Sequence, residues 1–185
     1  MKLPQNGEVT DKTQLNLKKG GGVMSNDYVV ADPIVCIGCQ TCMAACLSKH
    51  DMKNDIAKPR LNVVSTRAIS TPVLCRHCED ALCAAACPTG ALYMDNTNKR
   101  VAVNPENCIG CLNCVTSCPY GAVKTMPKVT QLKIGKVVVH EDTRTMVVKC
   151  DLCWDREDGP ACVSACPTGG LVFVHKPEDK VAVGW

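Results

Sequence analysis

Sixteen cysteines fall into four runs of four along this chain of 185 residues, and none is left over. The first and third runs have the spacing C-x2-C-x2-C-x3-C, the second C-x2-C-x4-C-x3-C and the fourth C-x2-C-x8-C-x3-C. In chain order the runs are Cys36, Cys39, Cys42 and Cys46; Cys75, Cys78, Cys83 and Cys87; Cys108, Cys111, Cys114 and Cys118; and Cys150, Cys153, Cys162 and Cys166. Proline follows the last cysteine of three runs, at Pro88, Pro119 and Pro167. Such a chain has to fold around groups of thiols.

The spacing is that of the bacterial run in which three thiolates hold one iron–sulfur cluster and the fourth reaches a neighbouring cluster. The first three cysteines of a run predict a tight loop around one cluster. The fourth is expected at the start of a short helical turn, and the proline after it fixes the direction in which the chain leaves. Each run is therefore shared between two clusters, and the spacing leaves open which runs pair.

Two other uses of clustered cysteines were weighed against this interpretation. Disulfide scaffolds are typical of secreted chains, and the N-terminus MKLPQNGEVTDKTQLNLKKGGG has no apolar segment of a signal peptide. Four-cysteine zinc sites usually separate their C-x2-C pairs by longer spacers, about 15–20 residues. The pattern thus favours iron–sulfur clusters, and the missing signal and missing apolar run predict a cytoplasmic chain without a membrane span.

The composition agrees with a core that is filled by bound metal. Only two Trp, three Tyr and one Phe are present, whereas large aromatic side chains usually dominate burial in a domain of this size. The formal charge of +3 is mild and dispersed, which disfavours nucleic acid as a partner. With every thiol assigned to a cluster, none remains as a nucleophile, so we expect no catalytic activity.

An internal repeat predicts that two similar halves are interleaved in the chain. CPTGALYMDNTNKRVAVNPENCIGC after the second run resembles CPTGGLVFVHKPEDKVAVGW after the fourth. Both read as hairpins, with turns at Asp95–Asn98 and Lys176–Asp179. VVADPIVCIGC before the first run parallels VAVNPENCIGC, which aligns Asp32–Pro33 with Asn104–Pro105 and makes Val181–Val183 the counterpart of the strand before the third run.

The predicted fold class is α+β, with two interleaved bacterial-type ferredoxin-like modules, short helices, β-hairpins and long cluster-binding loops. Residues 1–27 are expected to form a flexible arm and residues 28–185 the four-cluster domain. Module A comprises 28–50 with 145–185, module B comprises 70–125, and 51–69 and 126–144 are inserts. In the second insert KVVVHEDTRTMVVK predicts a hairpin with its turn in the polar centre.

CIGCQTCMAAC, CRHCEDALCAAACPTGAL, CIGCLNCVTSCPYGA and KCDLCWDREDGPACVSACPTG together resemble the four-cluster ferredoxin subunits of the DMSO reductase superfamily and of formate hydrogenlyase. The resemblance covers about residues 28–175. In that family the first run pairs with the fourth and the second with the third, and an iron ligand is sometimes replaced by tryptophan. No such replacement occurs here, so the resemblance implies four [4Fe–4S] clusters.

Carried over to this chain, the family pattern implies four cluster sites. They are site 1 with Cys36, Cys39, Cys42 and Cys166; site 2 with Cys150, Cys153, Cys162 and Cys46; site 3 with Cys75, Cys78, Cys83 and Cys118; and site 4 with Cys108, Cys111, Cys114 and Cys87.

The resemblance also implies a function and partners. Such subunits relay single electrons between a large catalytic Mo/W-pterin subunit, here of the formate dehydrogenase or aldehyde oxidoreductase type, and a hydrogenase, flavoprotein or quinone-reacting subunit. A free-standing soluble polyferredoxin is the main alternative, and a zinc-binding structural module is a lesser one. Higher-order assembly of several copies is left open.

A few residues other than the cysteines invite interpretation. His77 is read as an exposed loop residue rather than a hydrogen-bond donor to cluster sulfur, and Lys149 as solvated. The remaining histidines, His50, His140 and His175, are read as surface residues. Trp154 and Trp185 are candidates for docking a partner or for covering their own hairpins. The methionines Met43, Met94 and Met126 are expected to fill gaps in the core.

Overall fold

The computed structural model describes residues 26–50 and 58–175. Short strands and helices alternate in these residues, in agreement with the predicted α+β class. In chain order they are β1 Tyr28–Ala31, α1 Thr41–Lys49, β2 Asn62–Ser65, β3 Ser70–Val73, α2 Leu82–Ala85, β4 Leu92–Asp95, β5 Arg100–Val103, a 3-10 helix Pro105–Asn107, α3 Asn113–Thr116, β6 Lys124–Ile134, β7 Val137–Val148, α4 Ala161–Ser164 and β8 Leu171–Val174. The strands form four antiparallel pairs, β1–β8, β2–β3, β4–β5 and β6–β7.

Two of the strand pairs have the same length and equivalent registers. In the hairpin pair, β4 and β5 align Leu92 with Val103 and Asp95 with Arg100. In the split pair, β8 aligns with β1 from the other end of the described chain, so that Leu171 lies opposite Ala31. Strand β8 corresponds to β4. Strand β1 therefore pairs with β8 in the way that β5 pairs with β4. The predicted turn Lys176–Asp179 and strand Val181–Val183 lie outside the described residues.

The aligned Asp32–Pro33 and Asn104–Pro105 segments adopt the same local structure. The side chain of Asp32 accepts a hydrogen bond from the backbone N–H of Ile34 at 2.8 Å. Asn104 accepts one from the N–H of Glu106 at 3.1 Å. Such short side-chain turns direct the chain away from the strand, so each strand delivers the following cysteine loop in the same way.

The third cysteine of each run lies in a helix, and that helix is shorter where proline follows the fourth cysteine. Helices α2, α3 and α4 have four residues each, and proline follows the next cysteine in all three cases. No proline follows Cys46, and the nine-residue helix α1 continues past it to Lys49. The expectation that the fourth cysteine begins a helical turn was wrong, because Cys87, Cys118 and Cys166 follow the ends of their helices and Cys46 lies inside one.

The second insert forms a long two-stranded ribbon, and its turn is not where the sequence suggested. Strands β6 and β7 pair from Lys124 with Val148 to Ile134 with Val137. KVVVHEDTRTMVVK therefore supplies one strand rather than a hairpin, and the turn is at Gly135, whose φ is 62°. On β7 the side chains from Val137 to Thr145 are exposed, so the polar centre of this segment faces solvent without breaking the strand.

Two of the three hydrophobic core clusters in the described residues contain cysteines. The first contains Val29, Cys42, Cys46, Leu61, Leu74, Leu152, Cys162 and Leu171. The second contains Ala91, Leu92, Cys108, Cys114, Val123 and Val147, with Cys83, Cys87 and Cys118 packed against it. The first cluster thus gathers cysteines of the first and fourth runs, and the second gathers those of the second and third.

Several smaller expectations can be compared with the described residues. Met126 is buried, as predicted, and Met43 packs against the first hydrophobic cluster. Asn26 and Asp27, which the sequence placed in the arm, are buried. Among the described residues no helix combines the length and apolarity that a membrane crossing requires.

Candidate metal centres

The cysteines of the predicted sites 1, 2 and 3 line three separate cavities. One cavity is lined by Cys36, Cys39, Cys42 and Cys166, a second by Cys46, Cys150, Cys153 and Cys162, and a third by Cys75, Cys78, Cys83 and Cys118. In each of these cavities one thiol comes from a different run from the other three. The arrangement presents four sulfur ligands to a common centre, which suits iron–sulfur clusters or zinc.

The cysteines of site 4 also lie close together. Burial raises the pKa of Cys114, and the neighbouring thiolates of Cys87, Cys108 and Cys111 raise it further. Cys87 comes from the second run and the other three come from the third. All sixteen cysteines are free thiols, so each is available as a metal ligand.

Left-handed backbone conformations form the tight loops of the first and third runs. Gly38 and Gly110 have φ values of 69° and 71°, and Gln40 and Leu112 have 62° and 66°. A Cβ at Gly38 would lie 2.8 Å from Ser70 Oγ, and one at Gly110 would collide with the carbonyl oxygen of Thr145. The positive φ favours glycine at both positions, and at Gly110 the backbone of Thr145 leaves no space for a side chain. The loops turn three thiols towards one centre.

Backbone N–H groups point at several cysteine sulfurs. The N–H of Arg60 lies 3.3 Å from Cys46 Sγ, and the N–H of His77 lies 3.4 Å from Cys75 Sγ. Ala122 N–H makes a similar contact of 3.4 Å with Cys118 Sγ. Hydrogen bonds of this kind stabilise negative charge on sulfur and raise the reduction potential of a bound cluster.

Two threonines repeat the same contact with the last cysteine of their runs. Thr168 Oγ1 lies 3.6 Å from Cys166 Sγ, and Thr89 Oγ1 lies 3.7 Å from Cys87 Sγ. Burial raises the pKa of Cys166, but hydrogen bonds from Thr168 and the following backbone outweigh it and hold the pKa below its ordinary value. The repeated C-P-T-G sequence is the signal from which this role could have been predicted.

The deeper cysteines have the opposite tendency. Burial raises the pKa of Cys83 to about 11. It raises that of Cys162 to about 12, with further contributions from the thiolates of Cys153, Cys46 and Cys42. Without a cation these thiols stay protonated, and metal binding must release their protons. Once deprotonated, these buried thiolates would repel one another. The iron of a bound cluster would supply the positive charge that balances them.

A charged network packs beside site 2. Asp151 accepts hydrogen bonds from Arg60 Nη1 at 2.5 Å, from His50 Nε2 at 3.1 Å and from the backbone N–H of Cys153 at 3.0 Å. His50 Nδ1 also donates to the carbonyl oxygen of Cys46 at 2.9 Å. Burial opposes the charge of His50, but the hydrogen bonds to Asp151 and Cys46 raise its pKa to about 9.

This network corrects the interpretation of His50 as a surface residue. Its side chain is 12% exposed and forms an ion pair with Asp151. Ligand atoms of His50, Asp151 and Cys153 all lie within 4.8 Å of one another. Because Arg60 already occupies the Asp151 carboxylate, the group acts as a support for the cysteine loop. The signal that sequence reasoning missed was Asp151, an acid inside a cysteine run.

His77 and Lys149 also differ from expectation, because both are buried. His77 is 0% exposed and Lys149 is 2% exposed. Burial lowers the pKa of His77 to about 2, with a further contribution from the charge of Lys149, so the imidazole is neutral. Its Nε2 has no hydrogen-bond partner within the described part of the chain. His77 was predicted to be exposed because residues between the cysteines of a tight loop often face outward.

Other flagged side chains lie nearer to their expected positions. Trp154 is 58% exposed, and the guanidinium of Arg100 lies 4.9 Å from its ring centroid. It thus combines an exposed face with a packed one. His140 is exposed. His175 is half exposed, and its Nδ1 lies 2.7 Å from Asp27 Oδ2. Trp185 lies outside the described residues.

Comparison with known proteins adds an independent line of support. Two family models, each described as a 4Fe-4S dicluster domain, match residues 66–176 and 35–92. Electron transport protein HydN of Escherichia coli is 42% identical over 158 residues, covering 82% of this chain and 89% of that protein. Formate hydrogenlyase subunit 2 of the same organism is 37% identical over 172 residues, covering 83% and 84%. Hydrogenase-4 component A is 33% identical over 190 residues, covering 86% and 92%.

Proposed function

The chain belongs to the 4Fe–4S dicluster domain family, and from this premise we propose that it relays single electrons through four [4Fe–4S] clusters. It is an iron–sulfur electron-transfer protein of the formate hydrogenlyase type, without a catalytic reaction of its own. The observation that carries the proposal is the convergence of sixteen free thiols into groups of four. Each cluster would supply a centre that gains and loses one electron.

We propose that the clusters occupy sites 1 to 4 with the ligands given above. Three cavities, each lined by four cysteines of one proposed site, support sites 1, 2 and 3. The mutual effect of Cys87, Cys108, Cys111 and Cys114 on thiol pKa supports site 4. In every site, one ligand comes from a different run, which would hold two clusters side by side within each half.

The same contacts support an interleaved arrangement of two modules. Module A would combine residues 28–50 with 145–185, and the pairing of β1 with β8 supports it. Module B would comprise residues 70–125, and the hairpin pair β4–β5 lies within it. Residues 1–27 would be an arm whose last two residues, Asn26 and Asp27, are buried against the domain, and 51–69 and 126–144 would be inserts. The two modules would place four clusters within one small body.

The residues of the chain would act by position and charge rather than by chemistry. The loops fix the thiolates, and backbone N–H groups such as those of Arg60 and His77 stabilise their charge. The buried sides of the sites exclude water, which reduces the reorganisation that accompanies a change of charge. Electron transfer between clusters requires no proton transfer, so the proposal assigns no residue as a general base.

For partners, we propose a large catalytic Mo/W-pterin subunit on one side and a hydrogenase, flavoprotein or quinone-reacting subunit on the other. The relatives named as a formate hydrogenlyase subunit and a hydrogenase-4 component support redox partners of this kind. The formate dehydrogenase and aldehyde oxidoreductase types both fit. We place the chain in the cytoplasm and expect no nucleic-acid partner.

A second candidate is a free-standing electron carrier. The relative named simply as an electron transport protein, HydN, favours it. Such a carrier would hold the same clusters but would exchange partners rather than reside in one complex. Both candidates share the four sites, and they differ in what accompanies the chain during purification.

The test is to measure the metal and sulfide content of the tagged chain, expressed at its native level and purified anaerobically. We expect about sixteen iron and sixteen sulfide per chain. Molybdenum or tungsten in a co-purifying large subunit would support the complex, and isolation of the iron-loaded chain alone would support the free carrier. About four zinc per chain with little iron would overturn both proposals.

A further inference from the structure

Lys149 lies at the junction between site 2 and site 3. It is 2% exposed and directly precedes Cys150, a ligand of site 2. Its Nζ donates to the carbonyl oxygen of Val101 at 2.6 Å and to that of Cys150 at 3.1 Å. It also lies 3.4 Å from Nδ1 of His77, which stands between two ligands of site 3. The lysine is thus held by both cysteine loops.

The hydrogen-bond partners of Lys149 Nζ indicate that this side chain carries a charge. The backbone N–H of Val101 donates to His77 Nδ1 at 3.0 Å, so that nitrogen is an acceptor, and Lys149 Nζ at 3.4 Å can only share it as a second donor. Among the described residues, Lys149 Nζ therefore lies within hydrogen-bond distance of three acceptors and no donor. An ammonium has three N–H groups to donate, whereas a neutral amine would direct a lone pair at an acceptor. The geometry fits a charged lysine.

The buried charge has no carboxylate partner nearby. Among the residues that the structure describes, no ion pair within 4.0 Å involves Lys149. The adjacent Asp151 instead binds His50 and Arg60. An unpaired buried ammonium is strongly unfavourable. Negative charge on clusters bound in the neighbouring sites would compensate it.

The contacts of Lys149 belong to the ligand loops of both sites. On the site 3 side, Lys149 Nζ contacts His77, whose backbone N–H lies 3.4 Å from Cys75 Sγ. Val101, which accepts the shortest hydrogen bond from Lys149, lines the cavity of site 3. On the site 2 side, Lys149 donates to the carbonyl oxygen of the ligand Cys150. One cation therefore lies beside ligand loops of both halves.

We propose that Lys149 is the shared counter-charge of the clusters in sites 2 and 3, and that it raises the reduction potential of both relative to the same clusters without it. The inference rests on the proposed function. A positive charge beside a cluster favours the more negative, reduced form. One electron enters from the donor and one leaves to the acceptor, while Lys149 forms no bond and keeps its protons. Lys149 thus acts only through its charge, which lies at the junction between the two halves.

The experiment compares three variants of the full, iron-loaded chain. Lys149→Met removes the charge at similar length, and Lys149→Arg keeps it. Lys136→Met removes an exposed charge at the turn of the ribbon and serves as the matched control. Iron and sulfide content is measured first, and potentiometric titration followed by electron paramagnetic resonance then gives the midpoint potential of each cluster. Iron content of the unaltered chain tests the proposed function separately.

We expect Lys149→Met to shift two of the four midpoint potentials to more negative values, while the other two and those of Lys136→Met stay unchanged. Lys149→Arg should keep all four near their original values. If Lys149→Met loses the iron of two sites while Lys149→Arg retains it, the counter-charge role is also supported. Four unmoved potentials in a fully loaded Lys149→Met chain would overturn the proposal. Equal shifts or equal iron loss in Lys149→Met and Lys149→Arg would also overturn it, because packing alone would explain them.

Discussion

The hairpin pair β4–β5 and the split pair β1–β8 have equivalent registers but differ in how the chain reaches them. A link of residues 96–99 joins β4 to β5, whereas residues 32–170 separate β1 from β8. Each pair has a buried leucine at the same place, Leu92 or Leu171. The comparison teaches that one local structure can be formed either by a tight turn or by bringing distant segments together.

The two routes differ in their entropic cost. Closing a loop becomes more costly by about 0.6 kcal/mol for each doubling of its length. By that rule the split pair costs roughly 3 kcal/mol more to close than the hairpin pair. Its compensation is packing, because β1 and β8 share a hydrophobic cluster with cysteines of the first and fourth runs. Bound clusters in sites 1 and 2 would tie the same segments together.

The largest effect is expected from a charge in either half of the core. Leu171→Asp should remove about eight of about sixteen irons, those of sites 1 and 2, because an unpaired carboxylate in a core is very unfavourable. Leu92→Asp is the matched variant and should remove the irons of sites 3 and 4. Iron analysis and the spectra of the remaining clusters provide the measurement. If either variant loses all iron, the two halves are not independent units.

A smaller effect is expected when the first run is made to resemble the other three. Leu47→Pro places proline directly after Cys46, as in the other runs, but here the helix continues to Lys49. Interior proline destabilises a helix by about 3 kcal/mol, and the contacts of His50 with Cys46 and Asp151 would be lost. Thermal unfolding of the iron-loaded chain should show a lower Tm. Leu47→Ala is the control, and an unchanged Tm for Leu47→Pro would show that the last turn of α1 is dispensable.

The smallest effect is expected at the threonines that follow C-P. Thr168→Val and Thr89→Val each remove one hydroxyl beside a cysteine sulfur, a contact of about 1 kcal/mol. Each should lower the midpoint potential of one cluster, by less than Lys149→Met, and the two shifts should be similar. Potentiometric titration would measure both. Clearly unequal shifts would show that the two halves are less alike than their registers indicate.

The sequence predicted the turns beside the cysteine runs better than the residues packed around those runs. A repeat is a local signal, and the one that aligned Asp32–Pro33 with Asn104–Pro105 predicted two segments with the same turn. His77 and Lys149 were misread because their burial depends on contact between segments distant in sequence. Neither residue type gives a sign of such contact.

The position of the turn in the ribbon was predicted wrongly for a different reason. Polar residues in the middle of KVVVHEDTRTMVVK suggested a turn, but an exposed ribbon accepts polar side chains along its whole length. Gly135 was the better turn signal, since its φ of 62° is easily reached by glycine. The α+β class, in contrast, followed directly from short β-rich segments between cysteine runs.

The most direct test of the account asks whether cysteines from distant runs bind the same cluster. Cys42→Ala and Cys166→Ala should each remove about four irons, and the double variant should remove no more than about four, because both ligands belong to site 1. Cys166→Ala combined with Cys118→Ala should remove about eight, because the second residue belongs to site 3. These iron counts, made on anaerobically purified chains, would support the interleaved sites. A loss of about eight irons from the Cys42 and Cys166 double variant would contradict them.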